Sequence, residues 1–368
     1  MAADRAMQGA TGGATAESAA TLPRSRFLQL ARLADPAVPA GGGVLAPLGP
    51  DDLADLLARA DAHGVAPLVL RHLAARREPE VVALCAPLRA QAAEAAERAA
   101  RLRKHAGILV ARLRAHRLPA VPVGGTVFAR RLYADPVLRP HDEIRLLLPK
   151  GVIKAVEHEL SDLGFGIAPY QKGWERLDRF WTHAAEPSVG VRLLGDLVPS
   201  PRLRRHVTLD YAAIAGEEGP TAAERPARLL AVAAVTATVD GPFGRLIQLV
   251  DVLQAARGVR SALEELALDR LAEKTGARTA IVAALDLSAR VFGDRQPAAL
   301  AAALGHSRYT QLARRLLDPG AIAEPAAEDA AAPGWRRAAF RFLLTRTPRR
   351  PAVSPSSPGN AIASKRTV

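Results

Sequence analysis

The spacing of apolar residues changes character twice along the chain, and this confines what the chain can fold into. Up to about residue 117 the large side chains recur at helical intervals. Leu53, Leu56, Leu57 and Ala60 fall on one face of a segment that Asp51 and Asp52 can cap and Gly64 can end. Val69, Leu70 and Leu73 mark a second helical segment, and a long Ala-rich helix is expected over about 86–116 with Leu102, Leu109 and Leu113 turned inward. At Leu118-Pro119 the pattern breaks: Val121 and Val123 flank Pro122, two glycines follow, and Ile144-Arg145-Leu146-Leu147-Leu148 reads as a mostly buried strand. A helix through Val152, Val156 and Leu160 ends near Gly164, and strands are expected over 166–170 and 189–194. From about 222 the spacing is helical again, through 229–239, 244–256, 262–272 and 278–291, with Gly and Pro near 241–244 and 295–297 as punctuation. No fixed-period repeat indicates a solenoid.

These shifts divide the chain into 1–25 (disordered), 26–117 (helical), 118–215 (an α/β core), 216–345 (helical) and 346–368 (a disordered basic tail rich in Pro and Arg). The expected fold class is α+β: a small mixed sheet flanked by N-terminal and C-terminal helical regions. With 368 residues and 49% hydrophobic side chains the chain can build a sizeable core.

Charge narrows the partners. Fifty Lys and Arg against 37 Asp and Glu give +13 at neutral pH, favouring anionic partners such as nucleotides, phosphate groups or acidic protein surfaces. Only six of the fifty are Lys, so the positive charge is almost all guanidinium, suited to forked contacts with phosphate or carboxylate. The same bias, with abundant Ala, Gly and Pro, is also what GC-rich coding produces. Fifteen scattered aromatics make no base-stacking platform, so nucleic acid is not an expected partner. The longest apolar run, Leu229 to Val239, stops at Asp240, short of the eighteen or more residues a membrane helix needs. Residues 1–25 resemble neither a secretory signal nor an organelle presequence, and a single cysteine excludes an internal disulfide; the expected location is the cytoplasm.

Common catalytic signatures are missing. His158-Glu159 lacks the second His of a helical zinc site, and there is no P-loop, no strand-GxGxxG-helix fingerprint and no G-x-S-x-G elbow. Cys85 in Ala-Leu-Cys-Ala-Pro reads as a small buried hydrophobe. One stretch is more specific: Gly124-Gly125, then Leu132-Tyr133, Asp135-Pro136 and Leu138-Arg139-Pro140, then Glu143-Ile144-Arg145. It resembles the central motif of an uncharacterised bacterial nucleotidyltransferase family within the polymerase-β-like superfamily. Weaker similarity extends over about 50–295, through His63-Gly64-Val65, Leu163-Gly164-Phe165 and the helix holding Leu246–Leu253.

The resemblance implies a nucleotidyltransferase core and a site in which carboxylates hold two Mg²⁺ ions at a nucleotide phosphate. On a strand, residues i and i+2 share a face, so the family's Asp-x-Asp aims both acids at one metal pair. Here that pair falls on Glu143 and Arg145, the third acid on Arg192, and the family's Lys on Gly124. Glu143 is thus the one expected catalytic or metal-binding acid. Gly124, Gly125, Arg145 and Arg192 are the expected nucleotide- or phosphate-binding residues, and the protein is expected to be catalytically impaired. The bland alternative is that both arginines pair with Glu143 or lie at the surface; His183 and Asp196 read as solvent-facing polar residues near the third strand. Two further readings stay open: an active transferase using Glu143, Asp142 and Asp196 with Mg²⁺, and a helical scaffold for an unknown protein partner.

Overall fold

The computed structural model describes residues 24–40, 48–168, 179–239, 242–322 and 335–346. Four helices come first: α1 (Arg24–Ala34), α2 (Pro50–Ala62), α3 (Ala66–Leu70) and α4 (Pro79–Ala115). α1 begins at Arg24, so Arg24 and Ser25 of the stretch read as disordered are helical, and Arg346 of the tail lies in a turn; residues 1–23 and 347–368 lie outside the described residues. In α2 the expected face is buried, but the cap differs. Gly49 is the N-cap, Pro50 opens the helix, and Asp51 and Asp52 lie in the first turn, where carboxylates favour the positive end of the helix dipole. Leu33, Leu57, Val69 and Cys85 of these helices are buried in one apolar cluster, and burial raises the Cys85 thiol pKa.

α4 starts earlier than its spacing suggests and runs through Pro87, for a length of about 55 Å at 1.5 Å per residue. Its two ends serve different cores. Cys85 and Leu88 belong to the large cluster shared with the other helices, whereas Leu102, Ala106, Leu109 and Leu113 pack under the sheet.

The sheet has five strands: β1 (Val121–Val123), β2 (Ile144–Leu147), β3 (Phe165–Ile167), β4 (Arg179–His183) and β5 (Gly190–Leu194). Between them lie α5 (Gly125–Arg131) and α6 (Ile153–Asp162). The spatial order is β1-β2-β5-β4-β3, with β2 and β5 parallel and every other pair antiparallel. The sheet is mixed, as expected. The strand read over 166–170 is β3, of which residues 169 and 170 lie outside the described residues.

Alternation along the strands gives the sheet two unlike faces. Ile144, Leu146, Val191, Leu193 and Trp181 point to one side and pack with α4 and with Val156 and Leu160 of α6. On the other side, Val121, Val123, Leu147 and Leu194 join the large helical core. The same face also carries Arg145 and Arg192, directly paired across β2 and β5, and Phe180, paired with Arg192 across β4 and β5.

The chain then returns to helix: α7 (Pro201–Arg204), α8 (Tyr211–Ala215), α9 (Pro226–Val239), α10 (Leu246–Gly258), α11 (Ala262–Thr275), α12 (Arg278–Phe292), α13 (Arg295–Ala303), α14 (Arg308–Leu316) and α15 (Trp335–Leu344). α9 is apolar almost all round, as a helix must be that packs against α10, α11 and α12 at once. The His63-Gly64 turn docks on the start of α10. The His63 Nδ1 accepts the Leu246 backbone N–H at 3.2 Å, and the His63 carbonyl accepts that of Ile247 at 3.2 Å. Two orphan donors at a helix start are satisfied by a turn 183 positions away. No described helix is long and apolar enough to cross a membrane.

Candidate functional site

Glu143, one residue before β2, receives two guanidinium groups. Arg145 donates from Nε to its Oε1 at 2.6 Å, and Arg192 donates from Nε to its Oε2 at 2.9 Å. The three residues expected to converge therefore do so, as an Arg–Glu–Arg arrangement in which each carboxylate oxygen faces a cation. Their side chains keep 16%, 29% and 21% of their exposure for Glu143, Arg145 and Arg192, which leaves both cations within reach of solvent at the rim of the sheet face.

The register explains the convergence. Arg145 and Arg192 are direct partners in a parallel ladder, so both side chains rise from the same face, and residue 143 shares the parity of 145. The Phe180 ring lies beneath the Arg192 guanidinium, 5.4 Å from its centre, in cation–π range. A methyl group at Gly190 would run into that ring, so glycine there is what lets Phe180 lie flat on β5. Phe180 is the site residue that sequence reasoning missed, because β4 itself was not recognised.

The two glycines divide in role. Gly124 has φ +73° and ψ −144°, a conformation open to glycine and little else, and a methyl group there would only touch the Arg145 side chain at 3.5 Å. Gly125 is held by a neighbour: a methyl group would lie 2.5 Å from the His141 Cβ. The close approach that Gly125 permits is thus to the His141 loop. Burial pushes the His141 imidazole down to about 4, with the Arg139 and Arg103 guanidiniums adding to the effect.

The remaining candidates lie elsewhere. Asp142 is exposed and meets Arg98 at 3.4 Å. Asp196, past the end of β5, is buried rather than solvent-facing: its Oδ1 accepts the N–H groups of Val198 and Leu209 at 2.8 and 3.1 Å, and burial raises its carboxyl pKa. Its role is to hold the turn after the strand. His183 accepts the Glu186 N–H at 3.1 Å and packs against Phe165 and His105, on the far edge of the sheet. Among the described residues no three His, Cys, Asp or Glu side chains come together as a metal-binding group.

Behind the site runs a buried clamp. The Tyr133 hydroxyl donates to Asp251 Oδ1 at 2.7 Å, and Arg139 donates through Nε and Nη2 to the same carboxylate, at 2.8 Å to Oδ2. Burial lifts the Tyr133 phenol well above its usual range, and the Asp251 carboxylate adds to the rise. Burial alone would lower the Arg139 pKa, but its contact with Asp251 overrides that and raises it. The Leu-Tyr-x-Asp-Pro and Leu-Arg-Pro segments are therefore pinned to α10, and with them the loop that delivers Glu143.

A family profile described as uncharacterised nucleotidyltransferase matches residues 49–293, from the start of α2 to the end of α12. The chain belongs to that nucleotidyltransferase family. Within the matched span lie the His63 turn, the Tyr133–Arg139–Asp251 clamp, all five strands and the Arg145–Glu143–Arg192 cluster. α13, α14 and α15 fall beyond it. Comparisons with curated proteins and with solved structures found no match.

Proposed function

We propose that this nucleotidyltransferase-family chain binds a nucleotide or another phosphate-bearing ligand on the sheet face carrying Arg145 and Arg192, without metal-dependent transfer. The observation that carries this reading is the shared carboxylate: Glu143, the acid at the expected metal-ligand position, is divided between two guanidiniums. A pair of divalent ions needs several carboxylates directed at one point. The strand positions i and i+2 supply instead one acid and one base, and the donor set does not fit Mg²⁺. Asp142 and Asp196, the acids of an active alternative, are engaged with Arg98 and with the backbone of the following turn.

Guanidinium groups recognise phosphate oxygens through forked, charge-assisted hydrogen bonds, so Arg145 and Arg192 supply directly the positive charge that bound cations supply in a polymerase-β-like transferase. Gly124 keeps the start of α5 bare beside Arg145. In this reading the chain is a bacterial member of the polymerase-β-like superfamily with degenerate metal-ligand positions, working in the cytoplasm.

Titration with ATP, GTP, CTP and UTP, with and without Mg²⁺ or Mn²⁺, tests the proposal. Binding is expected at similar strength whether or not metal is present. Arg145→Ala or Arg192→Ala should weaken it roughly 10- to 150-fold, the loss of one charged hydrogen bond of ~1.5–3 kcal/mol. Metal-dependent incorporation of a nucleotide into any acceptor would establish the active alternative instead. A protein partner captured through residues 346–368 and indifferent to Gly124, Glu143, Arg145 and Arg192 would establish the scaffold.

A further inference from the structure

A second positively charged concavity lies outside the sheet. It is a shallow depression open to solvent, with a volume of about 800 Å³, lined by Arg290, His306, Gln311, Arg314 and Arg315. Arg290 comes from the last turn of α12, His306 from the turn before α14, and the other three from α14 itself.

Arg314 and Arg315 alone would need no special account, since cations in the last turn of a helix complement its dipole. Arg290, likewise in the last turn of its helix, brings a third guanidinium from α12 into the same space. Arg290 is fixed there from behind: its Nε donates to Asp286 Oδ2 at 2.9 Å and its Nη2 to the Leu317 carbonyl at 2.5 Å. The other oxygen of Asp286 faces Arg314 Nε at 3.6 Å. Asp286 is thus a largely buried carboxylate that steadies two arginines without itself lining the cavity. Three guanidiniums against Asp286 leave the cleft at about +2, with His306 and Gln311 adding hydrogen-bonding groups.

The rim is prebuilt. Ser307 and Thr310 cap the start of α14 reciprocally: the Thr310 N–H donates to Ser307 Oγ at 3.2 Å and the Ser307 N–H to Thr310 Oγ1 at 2.7 Å. This fixes the turn bearing His306 against the helix bearing Gln311. A volume of this size accommodates a small molecule of nucleotide dimensions.

We infer that the cleft between α12 and α14 is a binding site for a small ligand carrying two or more phosphate groups, separate from the sheet-face cluster. Phosphate chemistry is indicated because three guanidiniums, one of them anchored by Asp286 and the Leu317 carbonyl, converge with no acidic side chain lining the cleft among the described residues, and paired phosphates neutralise a +2 surface.

Inorganic tripolyphosphate is the probe, titrated calorimetrically at constant ionic strength into the full chain, into Arg145→Ala/Arg192→Ala and into Arg314→Ala/Arg315→Ala. The binding event that survives in Arg145→Ala/Arg192→Ala is expected to weaken at least tenfold in Arg314→Ala/Arg315→Ala. Arg314→Lys/Arg315→Lys, which keeps the charge and loses the fork, should restore it only in part. In the wild-type chain the His306 ring resonances should shift on adding the probe, a readout that requires no variant. The inference is overturned if tripolyphosphate binding is unchanged in Arg314→Ala/Arg315→Ala, or if the His306 signals stay in place. It is likewise overturned if single-stranded RNA binds the cleft and tripolyphosphate cannot displace it. Loss of binding only in Arg145→Ala/Arg192→Ala would uphold the sheet-face proposal and remove this one.

Discussion

His141 shows how one residue in the loop before β2 constrains the site. Its ring is buried, its Nε2 has no hydrogen-bond partner among the described residues, and burial together with nearby Arg139 and Arg103 holds its pKa at about 4, against 6.5 for the unfolded chain. Between pH 6.5 and 4 the unfolded state therefore holds a proton that the native state does not. The stability this group contributes is complete above about 6.5 and falls as pH drops through that window, by at most on the order of 3 kcal/mol. Urea unfolding of wild type and His141→Gln at pH 7, 5.5 and 4.5 should show a midpoint that falls steeply for wild type and less for the variant. Parallel slopes would show that the imidazole is not the sensitive group. The meeting of Glu143 with Arg145 and Arg192 was legible, since the family motif sets its register and strand parity does the rest. Which atoms pair was left open, and Phe180 was invisible because nothing marks its neighbours as a strand.

At the level of elements, the clamp between the Leu-Arg-Pro segment and α10 deserves a direct test, because it joins pieces 112 positions apart around one carboxylate that is 3% exposed. Asp251→Asn removes the charge that Arg139 needs in a site largely closed to water, which costs about 3–5 kcal/mol. Tyr133→Phe removes one hydrogen bond and leaves the ion pair, for about 1–3 kcal/mol. Thermal unfolding should rank wild type above Tyr133→Phe above Asp251→Asn; equal melting of Asp251→Asn and wild type would mean that the pair contributes nothing. Tyr133 and Arg139 stand out in the sequence only as part of the family motif, and their partner could not be read, since tertiary pairing leaves no local signal. The long helices and β2 and β5 were legible for the opposite reason: each buries one face or both, so its period is written in its own residues. β4 alternates weakly, with Trp181 buried and Phe180, Thr182 and His183 only half covered, and gives no such period.

The described residues form two apolar clusters that share elements rather than a seam. The larger takes Phe27 and Leu30 from α1, Val123 and Leu147 from the sheet, and Leu300, Leu304, Leu317, Phe340, Leu343 and Leu344 from beyond the family-matched span. Those last six side chains contribute on the order of 10 kcal/mol by burial at ~1.5–3 kcal/mol each, comparable to the ~5–15 kcal/mol net stability of an ordinary domain. A chain cut back to 49–293 is therefore expected to aggregate or to lose its cooperative unfolding transition in calorimetry. A sharp melt within a few degrees of the full chain would show the terminal helices to be dispensable. α4 adds a further consequence. Because α4 runs as one rod from the bundle to beneath the β-layer, a swing of one half against the other would have to bend that rod, and the ligand proposed for the twin arginines would meet a mould already set rather than jaws that shut around it.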